Sequence, residues 1–300
     1  MKNLRERLID PRSPDRQPRR AAYALPTFFT AGNVFLGFFA IMESFRGAME
    51  HSAGGSTASA HFSAAAVAVG GAVFLDGLDG RIARMTNTVS DFGREMDSMA
   101  DVVTFGIAPA VMAFAWGIQF TSAPPAPFTI EQLQGAGYLL SFLYLLCGAM
   151  RLARFNISVN PVPKNPGRPG RKYFIGLAIP AAAAVIASII FASGSTPLHS
   201  WIFSVAWLVL IALLSFLMIS TWRYPSFKEL NLLRPQSRYS FFLAAGLIYL
   251  IATVPQPVLL AMAISYVSSG ILIRIGGIIR RRFGSGRKPT DSPRPEAQIG

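Results

Sequence analysis

Apolar residues form long, uninterrupted runs in this chain, and polar residues are concentrated in short segments between them. Several runs approach the roughly 20 residues that an α-helix needs to cross the hydrocarbon core of a bilayer. Charged residues make up 14% of the chain, whereas a soluble domain averages about 25%. The pattern predicts an all-α polytopic transmembrane helix bundle of about eight spans, at residues 24–45, 62–84, 95–119, 136–156, 173–192, 200–221, 239–254 and 257–277.

The basic residues indicate how these spans are oriented. Every Lys and Arg except Arg46 falls on one side when eight spans are threaded alternately through the membrane. Because Lys and Arg are enriched in cytoplasmic loops, both termini are predicted to be cytoplasmic. The net charge of +13 is then explained by anionic lipid headgroups and phosphate-bearing substrates, so no nucleic-acid partner is expected.

Composition divides the chain into three predicted parts. Residues 1–22 form a basic cytoplasmic tail, residues 23–278 form the transmembrane domain, and residues 279–300 form a second basic tail. The second tail is rich in Pro and charge and poor in apolar residues, which predicts disorder. No apolar run follows the N-terminal Met directly, so no cleavable signal peptide is expected.

Four aspartates lie in or beside two consecutive apolar spans. Within each span, helical spacing places the aspartates and the small or charged residues near them on one face of the helix. The second span carries Asp76, Asp79, Gly80, Ala83 and Arg84, and the third carries Gly93, Asp97 and Asp101. If the two helices run antiparallel, the carboxylates reach a similar depth, about 10–12 Å from the connecting turn.

Carboxylates gathered inside a membrane need neutralisation, because a charge at that depth costs on the order of 3 kcal/mol or more. Hard divalent cations such as Mg²⁺ or Mn²⁺, which prefer carboxylate and phosphate oxygens, supply it. A patch of paired ions that stabilises a helix hairpin in a transporter or channel is the alternative interpretation. The shared register of small and charged residues around the aspartates favours a substrate site.

These residues form the pattern D-x2-D-G-x2-A-R-x8-G-x3-D-x3-D, matched at every defined position. That pattern is the signature of the CDP-alcohol phosphatidyltransferase family, which the chain therefore resembles. Three further segments, DSMADVVTFGIAPA, CGAMRLARFN and RYPSFK, resemble the integral-membrane phosphatidylserine synthase branch of the family. The resemblance covers about Leu25 to Lys228. It departs from the branch at Thr27, where relatives usually have Asn, whereas Asn33 is kept.

The resemblance implies metal-dependent transfer of a phosphatidyl group from CDP-diacylglycerol to the hydroxyl of L-serine, with release of CMP. It also implies Mg²⁺ or Mn²⁺ as two bound ions, a homodimer surrounded by membrane lipids, and a location in the inner membrane. The predicted topology opens the site to the cytoplasm, where hydrophilic nucleotides are found.

The resemblance also implies roles for individual residues. The expected metal ligands are Asp76, Asp79, Asp97 and Asp101. Asp101, one turn deeper than Asp97, is also the candidate catalytic base for the acceptor hydroxyl. The residues expected to receive the cytidine and the phosphates are Asn33, Gly80, Ala83, Arg84 and Gly93. Those expected to bind the acceptor or the diphosphate are Arg151, Arg154 and Asn156.

Three alternatives stay open. Spacing alone is equally consistent with Arg151 and Arg154 being anchors at the membrane surface. The aspartate pattern does not select the acceptor, so glycerol 3-phosphate, inositol phosphate and choline remain candidates. A cation transporter would use the four carboxylates as its ion path and would predict metal flux without CDP-diacylglycerol.

Overall fold

The chain is a bundle of α-helices in a computed structural model that describes residues 20–85, 91–159, 173–225, 245–246 and 249–283. The helices are α1 (Arg20–Ser52), α2 (Ala58–Met85), α3 (Asp91–Asp101), α4 (Ala108–Gly117), α5 (Ile130–Val159), α6 (Ile179–Ala192), α7 (Trp201–Ile219) and α8 (Pro255–Phe283). A π-helical turn, Val102–Ile107, joins α3 to α4. Two three-residue strands, β1 (Tyr173–Ile175) and β2 (Arg223–Pro225), pair antiparallel.

Six helical segments of the described chain are long and apolar enough to cross a membrane, which confirms the predicted all-α polytopic bundle. They are Phe28–Ser52, Ala58–Leu78, Gly93–Gly117, Ile130–Ile157, Trp201–Ile219 and Pro255–Arg274. Large apolar side chains, including Phe35, Phe142 and Phe203, are exposed on the outside of the bundle. An apolar exterior on this scale requires a lipid environment, so the chain is an integral membrane protein.

The predicted span 173–192 is wrong in its first part. Residues 173–175 form β1, and Gly176 follows with a φ of +76°, a backbone conformation that side chains with a Cβ rarely adopt. Helix α6 starts only at Ile179, because Pro180 suits a first helical turn but lacks the N–H that a helix interior needs. Its 14 residues span about 21 Å.

Helix α6 lies inside the bundle. Its buried residues include Ile179, Ala182, Ala183 and Ile186, all fully inaccessible. It packs between α2 and α8, and the π-helical turn also touches it. A helix shorter than the hydrocarbon thickness is tolerated there because protein, rather than lipid, surrounds it.

Parts of two predictions lie outside the described residues. Of the predicted span 239–254, residues 239–244 and 247–248 are not described, while 249–253 are helical. Of the predicted tails 1–22 and 279–300, residues 20–22 and 279–283 are helical, and 1–19 and 284–300 are not described.

Candidate active site

Three of the four predicted carboxylates come together in the structure. They are supplied by the C-terminal half of α2 and by α3. Asp76 lies in α2, and Asp97 and Asp101 lie one turn apart on α3. Each offers a carboxylate oxygen, and these oxygens all lie within 4.8 Å of one another. Asp101 is buried, and Asp76 and Asp97 are half-buried. The antiparallel arrangement expected from the spacing therefore produces one compact acidic cluster.

The remaining residues of the aspartate pattern share these helices. The backbone of α2 continues to Met85 and so carries Asp79, Gly80, Ala83 and Arg84, but their side chains lie outside the described part. Gly93 lies one turn before Asp97 on α3 and is half-buried. The side chain of Thr27 is likewise outside the described part.

The carboxylate cluster has the chemistry of a hard-cation site. Asp76 and Asp97 are close enough to repel each other electrostatically. The Oδ1 atom of Asp97 is buried and has no hydrogen-bond partner among the described residues. A buried carboxylate oxygen without a donor is costly unless a cation is bound. The donor set therefore fits Mg²⁺ or Mn²⁺, for which carboxylate oxygens are typical ligands.

Arg151, on α5, faces this cluster. Its guanidinium interacts electrostatically with both Asp101 and Asp76, and its Cζ lies 5.7 Å from the centre of the Phe155 ring. Arg154 points elsewhere: its Nη1 donates a hydrogen bond of 3.1 Å to the backbone carbonyl of Ile219, at the end of α7. The two arginines predicted as a pair thus have different surroundings, and Arg151 is the one beside the carboxylates.

Asn156 connects α5 to α3. Its Nδ2 donates a hydrogen bond of 2.8 Å to the Ser98 Oγ, next to Asp97 in sequence. Ser98 in turn donates 3.0 Å to the Arg94 carbonyl. The described contact of Asn156 is therefore with the helix that carries the aspartates, which helps to fix the position of that helix.

Asn33, on α1, is fully buried, and neither side-chain atom has a hydrogen-bond partner among the described residues. Its backbone carbonyl accepts a hydrogen bond of 3.0 Å from the Thr104 Oγ1 in the π-helical turn. A buried amide that lacks partners, on a helix bonded to the turn that follows Asp101, is suited to bind a polar ligand.

The π-helical turn begins directly after Asp101 and is held from two sides. The Thr104 hydroxyl donates to α1, and the Tyr144 hydroxyl of α5 donates a hydrogen bond of 3.1 Å to the Phe105 carbonyl. Gly37 allows α1 to approach closely, since a Cβ there would lie 2.6 Å from the Thr104 Oγ1 and 2.7 Å from its Cα. Isolated π-helical turns are frequent at functional sites.

The sequence patterns missed a residue that interacts with Arg151. Tyr266 of α8 interacts electrostatically with Arg151, and its ring centroid lies 5.7 Å from that of Tyr224 in β2. No local pattern in the sequence indicates it, because Tyr266 lies in the last predicted span, far along the chain from Arg151.

An acidic, metal-type site beside an arginine inside an intramembrane bundle fits a membrane-embedded enzyme whose substrate carries phosphate. A sequence model described as CDP-alcohol phosphatidyltransferase matches residues 23–212. The chain belongs to the CDP-alcohol phosphatidyltransferase family.

Three relatives carry the name CDP-diacylglycerol–serine O-phosphatidyltransferase. The protein of Helicobacter pylori (strain ATCC 700392 / 26695) is 36% identical over 215 residues, which cover 71% of this chain and 77% of the relative. That of Methanocaldococcus jannaschii is 32% identical over 205 residues, covering 68% and 81%. That of Saccharomyces cerevisiae is 38% identical over 162 residues, covering 53% and 50%.

Proposed function

We propose that this protein transfers the phosphatidyl group of CDP-diacylglycerol to the hydroxyl of L-serine, which yields phosphatidylserine and CMP. The observation that carries the proposal is the convergence of Asp76, Asp97 and Asp101 within 4.8 Å, beside Arg151. The names of the relatives support serine as the acceptor.

Asp76, Asp97 and Asp101 would hold the divalent cations, joined by Asp79 on the evidence of the sequence pattern. Two Mg²⁺ or Mn²⁺ ions would balance the charge of the four carboxylates and bind the diphosphate of CDP-diacylglycerol. When bound, such ions neutralise the negative charge on the phosphate oxygens of the donor. The buried, unpartnered Oδ1 of Asp97 supports this assignment.

The protein's own groups then orient the acceptor and move its proton. The serine hydroxyl oxygen forms a bond to the phosphorus of the phosphatidyl group, and the bond from that phosphorus to the bridging oxygen of CMP breaks. Asp101 accepts the proton of the hydroxyl as it attacks. The burial of Asp101 within the bundle limits access of bulk water, which would otherwise compete with serine as the nucleophile.

The remaining residues bind the two substrates. Arg151 would contact the serine carboxylate, since a guanidinium matches a carboxylate in geometry and charge. Arg154 would assist it or contact the diphosphate. The residues that would bind the cytidine and the phosphates are Asn33, Gly80, Ala83, Arg84 and Gly93. Asn156 would contribute to acceptor or diphosphate binding by holding α3 in position.

The location follows from the distribution of basic residues. All Lys and Arg except Arg46 lie on one predicted side, which supports a site open to the cytoplasm in the inner membrane. Residues 23–278 would form the membrane domain, between two basic cytoplasmic tails. The exposed apolar faces of the bundle contact membrane lipids, and they leave room for a second copy in a homodimer.

The proposal is tested by CMP release from the purified protein in detergent, with CDP-diacylglycerol and Mn²⁺ or Mg²⁺. L-serine, glycerol 3-phosphate, inositol phosphate and choline are supplied one at a time. Release with serine alone is expected. Release with a different acceptor would overturn serine as the substrate, and flux of the metal into vesicles without CDP-diacylglycerol would indicate a transporter.

A further inference from the structure

Two consecutive hydrogen bonds connect α5 to the backbone of the helix that carries Asp97 and Asp101. Asn156, on α5, donates a hydrogen bond of 2.8 Å from its Nδ2 to the Ser98 Oγ, on α3. The Ser98 hydroxyl donates in turn, at 3.0 Å, to the carbonyl of Arg94, one turn earlier on the same helix. The Ser98 hydroxyl is therefore oriented by its own helix and receives the amide from another helix.

Ser98 lies between the two aspartates of α3. It follows Asp97 directly and precedes Asp101 by three residues, a spacing that places Ser98 and Asp101 on neighbouring parts of the helix surface. A hydrogen bond to Ser98 therefore restrains rotation of α3 about its axis. That rotation is the movement that changes where both carboxylates point.

Small rotations of α3 matter because a cation tolerates little displacement of its ligands. Side-chain atoms lie about 5 Å from the axis of an α-helix, so a rotation of about 20° would move a carboxylate by about 2 Å. Distances from a metal to its ligands vary by only about 0.2 Å. The orientation that brings oxygens of Asp76, Asp97 and Asp101 within 4.8 Å of one another must therefore be fixed closely.

Asp97 depends on its helix for this placement. Metal-binding side chains are usually oriented by hydrogen bonds from neighbouring groups. The Oδ1 atom of Asp97 is buried and has no such partner among the described residues. The position of this oxygen is consequently set by the backbone of α3. The π-helical turn holds the C-terminal end of that helix through Thr104, and the bond from Asn156 holds its middle.

We infer that Ser98 and Asn156 are a positioning pair for the metal site: the hydrogen bond between them fixes the rotation of α3 and so directs Asp97 and Asp101 toward the cation held with Asp76. The inference rests on the proposed function, because that function places divalent cations in the carboxylate cluster. In this role neither side chain contacts the acceptor, and Asn156 assists binding of the diphosphate through the cations.

The test is the dissociation constant of Mn²⁺ for the full-length purified protein, measured by electron paramagnetic resonance without substrates. Ser98→Ala removes the hydroxyl and leaves the aspartates in place. We expect the Kd for Mn²⁺ to rise about tenfold, as for the loss of a group that supports a metal ligand. Asn156→Leu keeps a side chain of similar size without the donor, and it should raise the Kd equally.

Ser215→Ala is the matched control. Ser215, on α7, donates a hydrogen bond of 2.8 Å to the Ile211 carbonyl, four residues earlier, as Ser98 does to Arg94. It receives no bond from another helix in the described part of the chain, so Ser215→Ala should leave the Kd unchanged. Ser98→Thr keeps the hydroxyl and should restore most of the affinity that Ser98→Ala loses.

A double variant separates positioning from a general structural role. If the two residues act through their shared bond, Ser98→Ala combined with Asn156→Leu should show the Kd of either single variant. Multiplying effects, or an equal loss of affinity in Ser98→Thr, would overturn the inference. A lower melting temperature of metal-free Ser98→Ala with an unchanged Kd for Mn²⁺ would overturn it as well.

CMP release at saturating Mn²⁺ separates the metal site from the acceptor site. The KM for serine in Asn156→Leu should then change by less than about twofold, since the acceptor contacts are intact. A higher KM with an unchanged Kd for Mn²⁺ would show that Asn156 binds the acceptor and would overturn the inference. If the wild type binds Mn²⁺ but releases no CMP with serine, the proposed function fails, and the Kd values of the variants still decide the inference.

Discussion

At the scale of single residues, the site depends on three carboxylates from two helices. Asp76, Asp97 and Asp101 were predicted to meet because helical spacing put each set on one face, and the structure brings them within 4.8 Å. Tyr266 could not be predicted in this way, since no local pattern connects it to Arg151 across more than 100 intervening residues. Likewise, spacing could not reveal that Asn156 bonds to Ser98 or that Arg154 bonds to α7.

Asp97→Asn should reduce CMP release by about a hundredfold to a thousandfold, the usual effect of losing a group that stabilises charge in the reaction. The amide keeps the side-chain shape but removes the charge that attracts a cation. Binding of Mn²⁺, followed by electron paramagnetic resonance, should weaken in parallel.

Glu95→Gln is the matched control for this substitution, because Glu95 is an exposed carboxylate on the same helix, two residues away. It should leave both activity and Mn²⁺ binding unchanged. Full activity in a folded Asp97→Asn protein would show that Asp97 is not a metal ligand.

At the scale of elements, the π-helical turn after Asp101 is the feature that the sequence did not reveal. The sequence predicts one regular helical span over residues 95–119. The π-helical geometry depends on contacts from other helices, namely Thr104 with α1 and Tyr144 with the Phe105 carbonyl. The same limit explains why the helix predicted from Tyr173 is wrong at its start. The apolar run suits a helix, and the pairing of β1 with β2 that makes it a strand is a long-range interaction.

Gly37→Ala should destabilise the protein by about 1–3 kcal/mol, the usual cost of overpacking a close contact. The added Cβ would meet the Thr104 Oγ1 at 2.6 Å and its Cα at 2.7 Å, so α1 and the π-helical turn must separate. Activity should fall as well, because that turn continues directly from Asp101. Thermal unfolding in detergent measures the first effect, and CMP release the second.

Gly70→Ala provides the comparison, since a Cβ at Gly70 of α2 meets no atom within 4 Å. It should be neutral or slightly stabilising, because Ala favours a helix over Gly by up to about 1 kcal/mol. Equal destabilisation by the two substitutions would contradict the close packing of α1 on the π-helical turn.

At the scale of the whole molecule, composition was sufficient to predict an all-α membrane bundle, and apolar runs located six of its spans. Length alone could not show that α6 is a short buried helix, because its apolar sequence suits both a lipid-facing and a protein-facing position. Burial of Ala182, Ala183 and Ile186 is a property of the assembled bundle.

The predicted topology is tested by labelling single introduced cysteines in intact cells with a membrane-impermeant maleimide. Ser122→Cys lies in an exposed connector between α4 and α5, on the predicted external side, and should react. Lys288→Cys, in the predicted cytoplasmic tail, should react only after permeabilisation. Cys147 is buried and should not react in either case. The reverse labelling pattern would place the site on the external side.

Metal-dependent transfer of the phosphatidyl group to serine is tested most directly by mass spectrometry of the lipid formed from CDP-diacylglycerol and ¹³C-labelled serine. The purified protein is first depleted of metal with a chelator, and Mg²⁺ or Mn²⁺ is then restored. We expect no labelled lipid after depletion, and labelled phosphatidylserine with an equal amount of CMP after restoration. Labelled lipid formed at the full rate without metal, or CMP released without incorporation of serine, would contradict this expectation.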